Sequence, residues 1–558
     1  MNSSLKESAL LARQNDQNSV LRLARENYVL ILMGLNLGLA LVLRLYNLAA
    51  NPVGLNQDEA VNGVDAFALG QTLRDHHGNF LPFMLESFDD WASPGLTYLS
   101  VPFVKVLGLS VFSIRLPVAL AGVATVLLMY PVVKRLTGRQ DLSLLASFLL
   151  CVMPWHIIAS RWAIPTNIVP FFLLLTLYLY LQAVASEFRA WKYLLVGLCA
   201  AALTYTYPTQ KMFVPMFLGL LGLVDILNRT AWKLLLKKHL CTILPWLALS
   251  APIYILTMLE PGKYNARFSS VSIFQPDSNP IQGFLVRYFS YLGPVFNFGK
   301  EAGSITDHLP GIENTYNFLA VFYYAGITWS IYILISKRPF FVSKFALQIL
   351  LGWLLLFPVP ASLTLDYYHN LRAMHGLPLT IIFVAIGLGM LFDLLKSQAG
   401  RVIGYAILLA VSVFYLAVFW TAYWGTYPQA SGPAFQKGAG EYSEYLRQNA
   451  AEFTSVKVDS RISYPYIYYL FYAGKEPLKF NHTEINSSIV QDGYKVVPRL
   501  GKYSFVPILP EDLAGAVEIY TVKDERGVTW YRVFARDTAW FVVRPYPGET
   551  NFEPSGIS

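Results

Sequence analysis

The sequence predicts a polytopic α-helical membrane protein that ends in a small outward-facing α/β domain. Three observations predict it. Apolar runs long enough to cross a hydrocarbon core recur from Tyr28 to Trp424. The cations between those runs fall in alternate loops. Beyond Trp424 the pattern changes to alternating β-branched and aromatic stretches. Composition agrees: 55% of the 558 residues are apolar and 14% are charged, with a mean hydropathy of +0.42, too little polar surface for a soluble chain of this size.

The first run, 28–43, follows a polar segment, 1–27, and heads a multi-spanning chain, so it reads as an uncleaved anchor. Further spans are expected over 111–133, 142–159, 168–185, 193–207, 212–227, 240–259, 316–335, 345–363, 377–395 and 402–424. That makes about eleven crossings of membrane-spanning length. With the amino terminus cytoplasmic, every inside loop is basic: Arg22 and Arg25, then Lys134, Arg135 and Arg139, and so on to Lys396 and Arg401. The net charge of +8 therefore serves topology, and no nucleic-acid motif accompanies it. Cys151, Cys199 and Cys241 lie in apolar runs and read as small buried hydrophobes, with no disulfide or metal spacing.

This topology divides the chain into a membrane domain, 28–424, with long outer loops at 47–110 and 260–314, and an extracytoplasmic domain, 425–558. The tail opens on a polar stretch that starts as linker and becomes helix. It continues with strand-like "SVKVDS", "AVEIYTV", "TWYRVFA" and "AWFVVRPY".

The first outer loop begins at "NQDEA", which sets Asp58 and Glu59 at the membrane surface. The same loop carries "FDDWASPGLTYLSVPFVKVLG", whose apolar runs are too short to span. Such segments lie along the interface and would roof the two carboxylates. A solvated acidic loop is the alternative. The short outer loops add three lone cations on the side where the topology signal disfavours them: Arg161, Lys211 and Arg372. One alone reads as a snorkelling side chain. Three on one surface with an acidic pair point to an anionic ligand such as a phosphate. The chemistry that suits this set is transfer from a lipid phosphate. A carboxylate takes a proton from an acceptor hydroxyl, and the cations hold the departing phosphate.

"LRLYNLAANPVGLNQDEAVNGVDAFAL" resembles the amino-terminal signature of the GT-C glycosyltransferases, in particular the bacterial family 39 and aminoarabinose-transferase-like branch. "ASPGLTYLSVPFVKVLGLSVFSIRLPVALAG", "LTYTYPTQKMFVP" and "YYHNLRAMHGLPL" are similar to later blocks of that family. The resemblance implies an enzyme that moves a sugar from a polyprenyl-phosphate donor to a lipid, glycan or protein hydroxyl on the outer face of the membrane. Asp58 falls on the family's catalytic acidic position and Glu59 belongs to the same motif. Lys211, Arg372 and His369 fall where relatives place groups that meet the donor phosphate, and Arg161 is expected to join them. Asn167 stands where many relatives carry a second aspartate, which makes a bound divalent metal less expected. No cofactor is indicated. The tail lacks the "WWD" motif of oligosaccharyltransferases.

Asn167, Tyr207 and His308 are candidate substrate contacts, although an exposed loop is the commoner setting for a residue like His308 and packing the commoner role of a tyrosine. His156 beside Trp155 fits either a sugar contact or the interface belt. Asp89 and Asp90 read as loop surface or an acceptor contact. Asn481 and Asn486 head glycosylation sequons that matter only in a eukaryotic secretory host. A flippase for lipid-linked anions would place ionisable residues in mid-span, whereas these ions gather at one face. A surface-glycan polymerase or ligase is the nearer alternative.

Overall fold

The computed structural model describes residues 27–545 apart from 89, 277, 337, 396, 474–479, 481 and 492–493. Among the described residues nine helices are long and apolar enough to cross a membrane: Asn27–Leu45, Val111–Thr137, Pro165–Val184, Gln210–Leu227, Trp232–Leu259, Asn317–Ser336, Lys344–Ser362, Met374–Leu394 and Gln398–Gly425. Two shorter apolar segments complete the alternation. Gln140–Val152 continues past Met153 as Pro154–Ala159, the break falling where Pro154 cannot donate a backbone N–H. Ala190–Thr204 fills the other gap. The protein is a multi-pass membrane protein. Cys151 and Cys199 are buried as expected, whereas Cys241 is only half-buried, on a helix that turns much of its surface outward.

Two helices of the long loop after the first span pack on each other. Gln57–Thr72 is buried along most of its length, and Gly95–Leu107 covers one side of it while leaving Val106 and Leu107 exposed. Between them runs a short hairpin of β1, Leu85–Ser87, and β2, Asp90–Ala92.

The carboxyl-terminal domain is a mixed sheet flanked by helices. Its strands are β3 (Ser455–Asp459), β4 (Ile489–Gln491), β5 (Tyr494–Val496), β6 (Arg499–Leu500), β7 (Tyr503–Val506), β8 (Val517–Lys523), β9 (Thr529–Arg536) and β10 (Ala539–Val543). The main sheet runs β6-β7-β3-β10-β9-β8, with β3 parallel to both its neighbours and β8, β9 and β10 antiparallel. β4 and β5 form a separate hairpin. The strand-like tail segments become β3, β8, β9 and β10; β10, inside the sheet, is buried along nearly all its length, whereas β8, at the edge, is largely exposed.

The stretch read as a linker is instead packed. Tyr427 and Phe435 are fully buried, and helices Tyr427–Ser431 and Ala439–Gln448 carry the chain directly into the domain. Helix Pro465–Tyr472 then lies against Gln57–Thr72, so that one hydrophobic core holds Val61 and Val64 of the loop with Ile467, Leu470 and Phe471 of the domain. Polar contacts close the same seam. His77 Nδ1 donates to Asn486 Oδ1 at 2.7 Å, and His482 Nδ1 donates to the His76 carbonyl at 3.0 Å. Asn486 is thereby engaged in the seam, and the other sequon asparagine, Asn481, lies outside the described residues.

Gly63 marks the tightest point of this seam. A Cβ there would lie 2.7 Å from Phe471 Cε2 and 3.0 Å from Ile114 Cγ2. Overpacking of this kind costs about 1–3 kcal/mol. We expect Gly63→Val to lower the melting temperature of the purified protein and Phe471→Leu in the same chain to restore part of it. Independent, additive effects of the two changes would mean that the domain is not seated on this helix.

Candidate active site

The site is built from the start of helix Gln57–Thr72. Asn56 caps it: Asn56 Oδ1 accepts the Asp58 N–H at 3.0 Å, and Glu59 reaches back to accept the Asn56 N–H at 3.3 Å. The chain ahead of the cap is clamped by the segment leading to the carboxyl-terminal domain. The Leu55 N–H donates to the Phe435 carbonyl at 2.6 Å and Asn56 Nδ2 donates to that of Ala434 at 3.1 Å. Gly54, at φ +83°, is required there, since a Cβ would meet the Phe435 oxygen at 2.2 Å.

Glu59 is fully buried and faces Arg115 of the span Val111–Thr137. Arg115 Nε and Nη2 donate to its two oxygens, each at 2.8 Å. The Ala163 N–H adds a bond to Oε1 at 2.9 Å. Arg115 gives its remaining donors to the carbonyls of Leu48, Pro52 and Gly54. Glu59 therefore holds the helix in place and has no oxygen left for a substrate.

Asp58 is placed differently. Its side chain reaches solvent from a hollow with dense protein around it. Enclosure pushes its carboxyl up to about 6, helped by the charges of Asp90 and Glu59 and opposed by Arg267. Tyr207 shares the hollow: burial raises its phenol, and Arg372, Asp90, Asp58 and Arg267 all act on it. Asp90 is also the charge that acts on Lys211. Among the described residues neither Lys211 Nζ nor the Arg267 guanidinium forms an ion pair, so both are available to an anion. Arg372 is held from one side by Asp366. Asp58, Asp90, Tyr207, Lys211, Arg267 and Arg372 thus form one electrostatic group.

Several sequence-derived candidates stand elsewhere. Arg161 does not meet this hollow as expected of a phosphate ligand. It is fully buried and donates to the carbonyls of Leu43, Tyr46, Asn47 and Asn51 and to Tyr423 Oη, closing the end of the first span. Asn167 is buried and donates to the Trp162 carbonyl at 2.8 Å. His308, a candidate substrate contact with an exposed loop as its commoner setting, is buried in the loop 260–314, where Nε2 donates to the Lys300 carbonyl at 2.8 Å. His156 is likewise buried, accepting from Arg44 at 2.7 Å. His369 adjoins Arg372, but burial and that cation push it down to about 4. It is neutral at pH 7 and offers a phosphate a hydrogen bond without charge. Asp89 lies outside the described residues, and Asp90 sits on β2.

Sequence reasoning missed Arg267 altogether. It lies in the long loop 260–314, where the topology signal is weak and a cation is no anomaly. It also missed Arg115, which stands inside an apolar span and is the ion partner of Glu59. Among the described residues no group of three or more His, Cys, Asp or Glu side chains is arranged to hold a metal ion.

The chain has counterparts of known structure. The archaeal oligosaccharyltransferase AglB from Archaeoglobus fulgidus, in complex with an inhibitory peptide and a dolichol-phosphate, matches with a TM-score of 0.52 at 13% identity, over 81% of this chain and 64% of that one. ArnT from Cupriavidus metallidurans, bound to undecaprenyl phosphate, matches with a TM-score of 0.52 at 14% identity, over 80% of this chain and 85% of that one. The chain spans about 64% of the length of the AglB chain. At such identities the likeness is one of fold, and the chain has the fold of the GT-C glycosyltransferases. Residues 35–270 match, more particularly, the family model described as dolichyl-phosphate-mannose-protein mannosyltransferase. Comparison with curated proteins gives no match.

Breaking a buried ion pair from one side costs about 3–5 kcal/mol. We therefore expect Glu59→Gln and Arg115→Met each to lower stability by that order, and the double variant to lose less than the sum. A Glu59→Gln protein that melts like its parent would remove the clamp from this description.

Proposed function

We propose that this chain is a glycosyltransferase that moves a sugar from a polyprenyl-phosphate donor to a hydroxyl of a lipid, glycan or protein. It acts on the extracytoplasmic side of a cell's inner or plasma membrane, where the carboxyl-terminal domain also lies. The observation that carries the reading is the hollow at the end of the first span. There Asp58 reaches solvent and feels Arg267, while Tyr207 and Asp90 link it to Arg372 and Lys211. The family match and the lipid phosphates bound by the solved proteins of the same fold support it.

Asp58 is the general base. It accepts the acceptor's hydroxyl proton as that oxygen bonds to the anomeric carbon, while the bond from that carbon to the phosphate oxygen breaks. The electron pair leaves with the phosphate, whose charge Lys211, Arg267 and Arg372 neutralise. His369 donates a neutral hydrogen bond to it. A phosphate is a tolerable leaving group, so no general acid is required. A carboxyl near 6 is still mostly ionised at neutral pH and is a stronger base than an ordinary aspartate. Glu59 acts through Asp58 by fixing the helix that carries it.

General-base contributions are typically ~100- to 10,000-fold, so Asp58→Asn should lower transfer by that order while donor binding survives. Activity of the parent should fall as pH drops through about 6, where Asp58 takes up its proton. Asp90→Asn removes a charge that raises Asp58 and should move this limb to lower pH. Arg267→Gln removes one that lowers it and should move the limb to higher pH. Purified Asp58→Asn with near-parental turnover would end the proposal. A charge-assisted contact is worth roughly 1.5–3 kcal/mol, so Lys211→Met and Arg372→Gln should weaken donor binding about tenfold or more. Unchanged titrations for both would put the phosphate elsewhere.

A further inference from the structure

The second outer loop holds helix Pro280–Leu292, capped by Asn279, whose Oδ1 accepts the Gln282 N–H at 3.1 Å. Ile281, Leu285 and Phe289 follow one another at intervals of four and so share a face of this helix. They are 74%, 46% and 63% exposed. Soluble surfaces rarely leave such a row facing water.

Hydrogen bonds to two spans fix the level of this helix. Tyr288 Oη donates to the Leu355 carbonyl at 2.8 Å, and Tyr324 Oη donates to the Leu292 carbonyl at 3.1 Å. Leu355 belongs to the span Lys344–Ser362 and Tyr324 to Asn317–Ser336, of 19 and 20 residues, just long enough to cross the hydrocarbon. The backbones of Leu355 and Tyr324 each lie about 10 Å in from the loop-side end of their span, at 1.5 Å of rise per residue. Arg287 reaches the opposite way. Its Nε and Nη2 donate to the Leu365 carbonyl, beyond the span's end, at 3.0 and 2.8 Å, and its guanidinium lies 4.7 Å from the Tyr367 ring. A helix whose tyrosine is bonded down the span while its arginine is bonded up past the end sits below the polar boundary and snorkels from it.

We propose that helix Pro280–Leu292 is immersed in the lipid leaflet on the Asp58 side, with Ile281, Leu285 and Phe289 against acyl chains and Arg287 at the headgroup level. Arg267 of the same loop acts on Asp58, which fixes the side. Through Leu365 the helix holds the segment of Asp366 and Arg372 at the membrane boundary, the height at which a lipid phosphate lies. The inference rests on the spans and their hydrogen bonds, not on the proposed chemistry.

Spin labelling tests it in the full chain reconstituted into phosphatidylcholine vesicles. Cysteines replace Leu285 and Phe289 singly in a Cys241→Ala background, with the unsubstituted background as the control for stray label. Both positions are exposed, so the changes remove little packing. Leu409, exposed at mid-span in Gln398–Gly425, and Glu525, on the carboxyl-terminal domain, serve as lipid and water references. The ratio of relaxation by oxygen to relaxation by a water-soluble nickel chelate should be several-fold higher at both test positions than at Glu525, approaching that at Leu409. Ratios at Leu285 and Phe289 equal to that at Glu525 would place the helix in water and overturn the proposal.

Discussion

Glu59 and Arg115 meet without solvent, and the loop after the first span takes its shape from their contact. Removing two charges from water costs several kcal/mol per ion even after relaxation, so a buried pair survives only when every donor and acceptor is occupied. Here that condition is met. The carboxylate accepts from Arg115 twice, from Ala163 and from Asn56, and the guanidinium spans Glu59 and three backbone carbonyls. One ion pair therefore ties the start of helix Gln57–Thr72 to the span Val111–Thr137, to the turn after Arg161 and to the chain leaving the first span.

Asp58 owes its separate fate to this arrangement. Successive helix residues point about 100° apart, so fixing Glu59 against Arg115 turns its neighbour toward the hollow. Two adjacent carboxylates of like chemistry then diverge. One is neutralised and structural, while the other is enclosed by protein, short of counter-charge, and correspondingly ready to hold a proton. The carboxyl-terminal domain contributes from behind, because its helix Pro465–Tyr472 shares a core with the Asp58 helix and the Phe435 carbonyl pins Leu55. A domain without a catalytic motif of its own thus supports the geometry of the site.

The architecture was largely legible in the sequence because burial in lipid writes itself as long apolar runs and alternate basic loops. The strands of the tail showed as β-branched and aromatic runs, although their burial follows place in the sheet more than alternation: β10 is buried almost throughout and edge strand β8 is largely exposed. What stayed hidden depends on tertiary pairing. Arg161 and Arg372 look alike in sequence, each a lone cation outside a span, yet one closes a helix end among carbonyls and the other faces the hollow. Glu59 could not be told from Asp58 without its partner, since Arg115 lies far along the chain inside an apolar segment. His308 looked like a loop residue because the loop's own packing leaves no periodic pattern. Arg267 stood in a loop too long for its charge to be informative.

A density map of the protein in lipid nanodiscs with a bound polyprenyl phosphate sugar tests the central claim most directly. The account predicts the phosphate among Lys211, Arg267 and Arg372, the anomeric carbon facing Asp58, and Glu59 still bonded to Arg115. A phosphate seated away from those three cations, or a sugar turned from Asp58 toward another carboxylate, would contradict it.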